Sequence, residues 1–346
     1  MLPEPPVSTF ASDNASGASP EVLQALVEAN DGYSIAYGDD RYTSELRSEI
    51  NTLFGREVAT FLAWGGTGAN VVGLQALIRP WQGIICTQSS HINVDECGAP
   101  ERFLGSKLID LPSPDGKLTA ELVQKQLGVL GIVHHVQPGA VSITQATEYG
   151  TVYSVEELKE IIDTAHQGGL RVHMDGARVA NAAVSLGCDV AEFTSEIGVD
   201  ILSFGGTKNG MVYGEAIVVF DPELVGAVGY LQKQSAQLPS KMRYIAAQFL
   251  AMLKDDLWLD HARHANAMAQ LLAEGVADIP QVTITQPTQA NAVFATLPEE
   301  ATSTLQAWSP FYTWEGDNEV RWMTSFATQV SDVEALIEGV RAVLGN

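Results

Sequence analysis

Between residues 59 and 220, short apolar runs of strand length alternate with segments of helical periodicity, and this alternation restricts the fold more than any other property of the chain. The strand-like runs cover 59–63, 83–87, 107–111, 140–145, 170–174, 201–204 and 215–220. Apolar residues at helical spacing mark 69–78, 119–127, 154–167 and 190–195. Strands joined through helices are not hairpin partners; they lie mostly parallel, in a sheet covered on both faces. The expectation is an α/β protein built on a mostly parallel sheet of seven strands.

The flanks complete the outline. A proline-rich arm leads into a helix over 20–30, which starts on Pro20 and stops at Asp31 and Gly32, and a second helical segment follows over 43–53. After the alternation, 239–272 is helical in spacing with no strand signal. Strand patterns at 282–285, 292–296 and 320–325 and a helix at 332–344 then describe a small C-terminal α+β domain. Three parts are expected: an arm with its helix (1–30), a large domain (31–240), and a linker helix with the small domain (241–346).

Two segments carry the chemistry. The run ending in His173, Met174 and Asp175 brings an aspartate to a strand end, and 33 residues later the run ending in Phe204 leads through Gly205, Gly206 and Thr207 to Lys208. An acid and a lysine at neighbouring strand ends suit pyridoxal phosphate. The lysine forms a Schiff base, and the acid keeps the pyridine ring protonated as an electron sink. Asp175 could also cap a helix, with Arg178 three residues on and able to reach the same ligand. Gly65, Gly66, Thr67 and Gly68 lie between a strand and a helix, where backbone N–H groups and the helix dipole favour a single phosphate. His91 follows another strand and could stack on an aromatic ring or move protons, and Glu96 could hold its imidazole or cap a helix.

Composition narrows the partners. With 42 acidic against 19 basic residues the net charge is −23, which disfavours nucleic acid and anionic membrane surfaces. No run of about 18 apolar residues occurs, and the amino terminus lacks the charged and apolar regions of a signal peptide. Cys86, Cys97 and Cys188 are widely spaced, which fits neither a disulfide framework nor a zinc site and leads us to expect a cytoplasmic protein.

Beyond these features, long stretches resemble the low-specificity L-threonine aldolases and the related L-phenylserine aldolases, which are fold-type I pyridoxal-phosphate enzymes. The matching stretches are 10–14, 36–40, the Gly-Thr turn, Ser90 to Glu101, Thr144 to Glu148, His173 to Arg178, Gly206 to Gly210 and Ser240 to Arg243. The resemblance implies a large cofactor domain, a small C-terminal domain, and retro-aldol cleavage of β-hydroxy-α-amino acids to glycine and an aldehyde. It implies that Lys208 anchors the cofactor, Asp175 holds the pyridinium, His91 stacks on the ring, and Gly66, Thr67 and Gly68 bind phosphate. Arg178 would sit near the phenolic oxygen and the substrate carboxylate, and Arg321, assisted by Ser12, would bind that carboxylate. Arg243 would reach a phosphate in a neighbouring subunit, which requires a homodimer or homotetramer with sites at the interface. His134, with His135 beside it, would lie near the substrate hydroxyl. The proton on that hydroxyl could pass to His91, to His134 or to an ordered water. A β-eliminating lyase or racemase on the same scaffold is the alternative enzyme, and a catalytically silent scaffold subunit is the alternative outside catalysis.

Overall fold

The computed structural model describes residues 2–314 and 318–345, so Met1, 315–317 and Asn346 of the three expected parts lie outside the described residues. The seven strand-like runs form one sheet: β1 (Ala59–Ala63), β2 (Gln82–Thr87), β3 (Lys107–Leu111), β4 (Gln137–Thr144), β5 (Arg171–Gly176), β6 (Ile201–Gly205) and β7 (Glu215–Val219). Their spatial order is β1-β7-β6-β5-β4-β2-β3. β7 runs antiparallel to both β1 and β6, while every other neighbouring pair is parallel. Six strands therefore end on the same edge, and β7 begins there.

The central strands read as apolar runs because both of their faces are covered. Every residue of β7 and the first four of β6 are buried. The helix Gly66–Leu77 packs on one face, against β5, β6 and β7. On the other face a larger core joins Val141, Ile143, Val172 and Met174 to Leu158, Ile161, Ile162 and Ala165 of the helix Val155–Gln167. That helix starts on a reciprocal cap in which Ser154 Oγ accepts the Glu157 N–H and the Glu157 carboxylate accepts the Ser154 N–H.

One polar group is threaded through the sheet itself. His173 is fully buried, with its ring nitrogens 3.0 Å from Ser142 Oγ on β4 and 3.0 Å from Ser203 Oγ on β6. Burial pushes its imidazole down to about 4, and its two bonds tie three strands together.

The structure departs from the sequence expectation in several helical regions. Residues 190–195 form turns, not a helix. The 239–272 segment is two helices, Arg243–Leu253 and Leu257–Val276, broken where Asp255 and Asp256 take φ of 52° and 56°. Their short side chains tolerate the left-handed region better than bulky ones. The helices Val225–Gln234 and Glu299–Trp308 were not expected from the sequence, and Val179–Leu186 was foreshadowed only by a possible cap at Asp175.

The second, antiparallel sheet contains β8 (Thr283–Ile284), β9 (Ala292–Thr296), β10 (Tyr312–Thr313) and β11 (Glu319–Met323), ordered β10-β11-β9-β8. The helices Leu257–Val276 and Val330–Leu344 enclose its core around Trp322, Val320, Leu272 and Leu336. The amino-terminal arm belongs to this core: Phe10 is fully buried in it, its N–H donates to Pro310 O at 3.2 Å, and its carbonyl accepts the Met323 N–H at 2.8 Å. Removing the ring in Phe10→Ala should cost about 3–5 kcal/mol. Urea unfolding should therefore show a lower midpoint with the slope retained.

Candidate active site

The strand ends converge on a small cavity of about 40 Å³ lined by Gly66, Asn70, His91, Glu96, Thr144, Glu148, Asp175, Ala177, Arg178 and Lys208. It thus gathers groups from the ends of β4, β5 and β6, from the turn after β1 and from the segment after β2. A wider groove between the helices Pro20–Ala29, Arg41–Leu53 and Arg243–Leu253 is lined by Glu21, Glu28, Glu45, Asp255 and Asp260 with Lys254. That acidic lining suits neither a phosphate nor a carboxylate ligand.

Asp175 ends β5 facing the helix Gly66–Leu77. Its Oδ2 accepts Asn70 Nδ2–H at 2.7 Å and its Oδ1 accepts the Ala177 N–H at 3.0 Å. It therefore closes a local turn rather than capping the next helix, whose cap position is Arg178. Burial alone would raise the Asp175 carboxyl, but His173, His91, the Ala177 N–H and Lys208 together hold it below the usual carboxylate range. It is an anion with a fixed direction. The other Asn70 contact, 2.9 Å to Glu96 Oε1, continues to His91 Nδ1 at 2.9 Å from the same oxygen. Glu96 thus holds the imidazole, and this bond, opposed by burial, raises the His91 pKa.

Lys208 sits in the single turn Thr207–Asn209 after β6. Burial and then Arg178 lower its pKa, while Asp13, Asp175 and Glu215 act the other way. A lysine so placed gives up its proton more readily than a surface lysine and is a better nucleophile toward a carbonyl. The turn is pinned beyond the lysine: Gly210 O accepts the Ser19 N–H at 2.9 Å, and Asn209 O lies 2.8 Å from His261 Nδ1. Gly210 has φ of 114°, and a Cβ there would come within 2.8 Å of His261 Nδ1, so only glycine fits.

Gly66, Thr67 and Gly68 form the first turn of the helix Gly66–Leu77, whose cap residue Gly65 makes no side-chain bond to it. Their N–H groups are free for an anion. At Gly68 an added Cβ would fall 2.2 Å from the Gln237 amide, so a larger residue there would have to displace that side chain.

Arg178 makes a two-point pair with Asp13, Nε to Oδ2 at 2.7 Å and Nη2 to Oδ1 at 3.0 Å. Asn291 Nδ2 also donates to Asp13 Oδ2 at 3.1 Å. Arg321 reaches in from β11. Its Nη2 donates to Ala11 O at 3.2 Å, and its guanidinium lies 4.5 Å from the Trp314 ring and 5.6 Å from the Tyr312 ring. Burial and the charge of Arg178 push Arg321 down to about 10, a sign of two cations close together. Ser12 Oγ accepts the Asn14 N–H at 3.1 Å and caps the turn that presents Asp13.

Two expected site residues are not brought to this cavity. His134 lies on an exposed turn before β4, at the opposite end of that strand from Thr144, on the order of 25 Å away by strand rise. Its role near a substrate hydroxyl is therefore corrected for the site of its own chain. Arg243 begins the helix Arg243–Leu253 and donates to Asp31 O, Gly32 O and Ser34 Oγ at 3.4, 3.2 and 3.3 Å, so within the chain it holds a loop. The sequence reading gave no role to Asn70, Glu148, Asn291 or Glu215; amides and glutamates carry no motif that sets them apart before the fold is known.

The cavity contains unmet polar atoms. Asn70 Oδ1, Glu96 Oε2 and Glu148 Oε2 are shielded from solvent without a partner, as is Arg321 Nε. Each such group costs about 1–3 kcal/mol if nothing binds it. The three acceptors suit a ligand that brings N–H or O–H donors, and the open N–H groups at Gly66 suit a phosphate. Glu148 is pushed up to about 7 by burial, although its Oε1 accepts from His91 N and Thr144 Oγ1, each at 2.8 Å.

Residues 9–300 match the family of beta-eliminating lyases, and the chain belongs to that family. Its relatives include the low-specificity L-threonine aldolase of Pseudomonas aeruginosa, 45% identical over 97% of this chain and 98% of that protein. The low-specificity L-threonine aldolase of Escherichia coli is 30% identical over 78% of this chain and 80% of its own length. The solved threonine aldolase of Leishmania major superposes with a TM-score of 0.92 at 30% identity, covering 97% of this chain and 99% of that one. The α/β fold with a seven-stranded, mostly parallel sheet and a small separate antiparallel sheet is thus that of the fold-type I enzymes.

The Asp13–Arg178 pair gives a test of the site's electrostatics. Arg178 and Lys208 outweigh burial and keep the Asp13 pKa below its unfolded value of about 3.9. A depressed carboxylate stabilises the fold above the unfolded pKa and loses that contribution as pH falls through the native one. Asp13→Asn should therefore cost about 3 kcal/mol at pH 7, where it strands a buried guanidinium. Urea titrations from pH 7 to 3 should show the gap to the parent protein narrowing below about pH 4.

Proposed function

We propose that this protein is a pyridoxal-phosphate-dependent aldolase that cleaves L-threonine, L-allo-threonine and related β-hydroxy-α-amino acids, phenylserine included, to glycine and an aldehyde. The observation that carries this reading is the arrangement of Asp175, Lys208 and Arg178 around one cavity, with Arg321 near enough to feel the charge of Arg178. When bound, pyridoxal phosphate supplies a carbonyl carbon for the amino group and a protonated ring that accepts the electrons of the broken bond.

The chain's own groups divide the remaining work. Gly66, Thr67 and Gly68 would hold the phosphate, Asp175 would accept the pyridine N–H, and Lys208 would anchor the cofactor covalently. His91, held by Glu96, would cover the ring face. Arg178 and Arg321 would bind the substrate carboxylate from two sides and so set the rotation about Cα, which decides whether Cα–Cβ or another bond is cleaved. Ser12 would assist through the turn that positions Asp13. At the hydroxyl, His91 or an ordered water would take the proton.

Assembly belongs to the same proposal. Tyr33, Ile35, Tyr37 and Trp64 are exposed beside the loop that Arg243 holds. A second copy covering them would let Arg243 reach that copy's phosphate. His134 flanks the exposed Ile132 and Val133 and could approach a hydroxyl only in another subunit. A homodimer or homotetramer meets both needs. Among the described residues no helix is long and apolar enough to cross a membrane, and the three unpaired cysteines suit a reducing cytoplasm.

Aldehyde release from threonine, allo-threonine and phenylserine should be readily measured, and failure with all three would overturn the reading. Lys208→Ala should abolish release while leaving the far-ultraviolet circular dichroism unchanged. Arg321→Lys keeps the charge but loses the two-point geometry, so KM should rise roughly tenfold in steady-state assays.

A further inference from the structure

β7 is buried throughout, and its sequence is apolar except for Glu215 at its first position, which is only 6% exposed. Because β7 runs against its neighbours, Glu215 stands at the site edge of the sheet, level with Gly205 at the end of β6 and Ala63 at the end of β1. Its Oε2 accepts the Gly206 N–H at 2.7 Å, and its carboxyl also bonds the Thr207 side chain. Thr207 Oγ1 in turn accepts the Gly214 N–H at 3.1 Å. The two residues before Lys208 are thus tied to the strand that follows it. None of the roles assigned above uses this carboxyl.

A glutamine would hold Gly206 equally well without the cost of burying an acid, which pushes Glu215 up to about 7. The acid is explained if its charge acts on a neighbouring cation. Seven ionisable groups stand around Lys208: Arg178 at the start of its helix, Asp13 in the amino-terminal turn, Asp175 on β5, His91 after β2, Glu215 on β7, and Glu96 and Glu148, which line the same cavity. Arg178 and His91 oppose the ammonium. Asp13 is already engaged by Arg178 at two points, and Asp175 would be committed to the ring nitrogen in the aldolase reading. Glu96 is held by His91 and Asn70, and Glu148 by the His91 N–H and Thr144, which leaves Glu215 as the carboxyl tied to the turn of Lys208.

We propose that Glu215 is a positioning residue for Lys208, clamping the Gly206–Thr207 turn and supplying the negative charge that sets the proton affinity of the amine. The assignment rests on Lys208 being the cofactor anchor, but its test does not depend on aldol cleavage. The full-length protein is stripped of cofactor with hydroxylamine, and the rate of Lys208 acetylation by acetic anhydride is followed against pH by peptide mass spectrometry. In Glu215→Gln the midpoint should fall by about half a pH unit or more, making acetylation near neutrality roughly threefold faster. Glu215→Asp restores the charge and should keep the parental midpoint even where the shorter side chain loosens the turn. An unshifted Glu215→Gln midpoint would reduce Glu215 to a turn clamp and overturn the proposal. So would a shift in Glu215→Asp as large as that in Glu215→Gln. In the reloaded protein, the pH at which the cofactor's visible absorbance changes should move in the same direction. If the protein releases no aldehyde but the acetylation midpoint still moves, the aldolase reading fails and the Glu215 assignment stands.

Discussion

The two-point pair between Asp13 and Arg178 joins parts of the chain that are otherwise separate. Asp13 belongs to the amino-terminal arm, Arg178 follows the central strand β5, and Asn291, which also donates to Asp13, precedes β9 of the small sheet. An ion pair with one partner 1% and the other 15% exposed gains little net stability over apolar packing, because both charges lose their hydration. Its value is geometric. A guanidinium held at two points has one orientation, and the orientation of Arg178 determines what remains available to a ligand. Phe10 supplies the apolar counterpart by anchoring the arm three residues earlier. Packing pays for the order that the ion pair then directs.

The rest of the site follows from how many charges a closed cavity can tolerate. Asp13, Asp175, Glu96, Glu148 and Glu215 are carboxyls in or around it, against Arg178, Lys208, Arg321 and His91. Burial resolves the excess by separating the acids into kinds. Asp175 and Asp13 have cationic neighbours and N–H donors and stay ionised. Glu148 and Glu215, with fewer such partners, are driven toward neutrality near pH 7. The cations diverge in the same way: Lys208 loses proton affinity, whereas Arg178 is stabilised as a cation by Asp13 against the cost of burial. Side chains of one chemical type thus take different roles according to their surroundings, as a site that must both hold charge and move protons requires.

Strands were legible in the sequence where they were buried on both faces, because that environment leaves an unbroken apolar run. The range 215–220 runs one residue past β7, and 201–204 differs from β6 only by the terminal Gly205. Helices were less legible where periodicity was weak. Val225–Gln234 carries three glycine or alanine residues among its first five, and the turn at 190–195 imitates a helical stripe with Val190, Ala191 and Phe193. At the site, Asp175, Lys208, Arg178 and the Gly66 turn stood out because each follows a strand closely. His134 also lies close to a strand, but ahead of it, and a sheet with all its ligand groups at one edge separates the two cases by the full length of β4. The partners that tune the site, Asn70, Glu148 and Glu215, come together only through strand order. The reversal of β7 in particular cannot be read from its composition.

An overall charge of −23 sits awkwardly with a site for anionic ligands. At physiological ionic strength, however, screening removes most of the field beyond about 8 Å. Recognition is therefore decided by the nearest groups, and those are not representative of the chain. The helix end at Gly66 presents N–H groups, and the charge of Arg178 reaches Arg321 and, with burial, lowers its proton affinity. Their mutual repulsion is itself a store of binding free energy, since a carboxylate between them relieves it while an uncharged ligand does not. The stacking of Arg321 on Trp314 and Tyr312 keeps its guanidinium in place while the Nε stays unsatisfied. A chain short of cations can therefore be selective for an anion by holding two of them together at the end of its sheet.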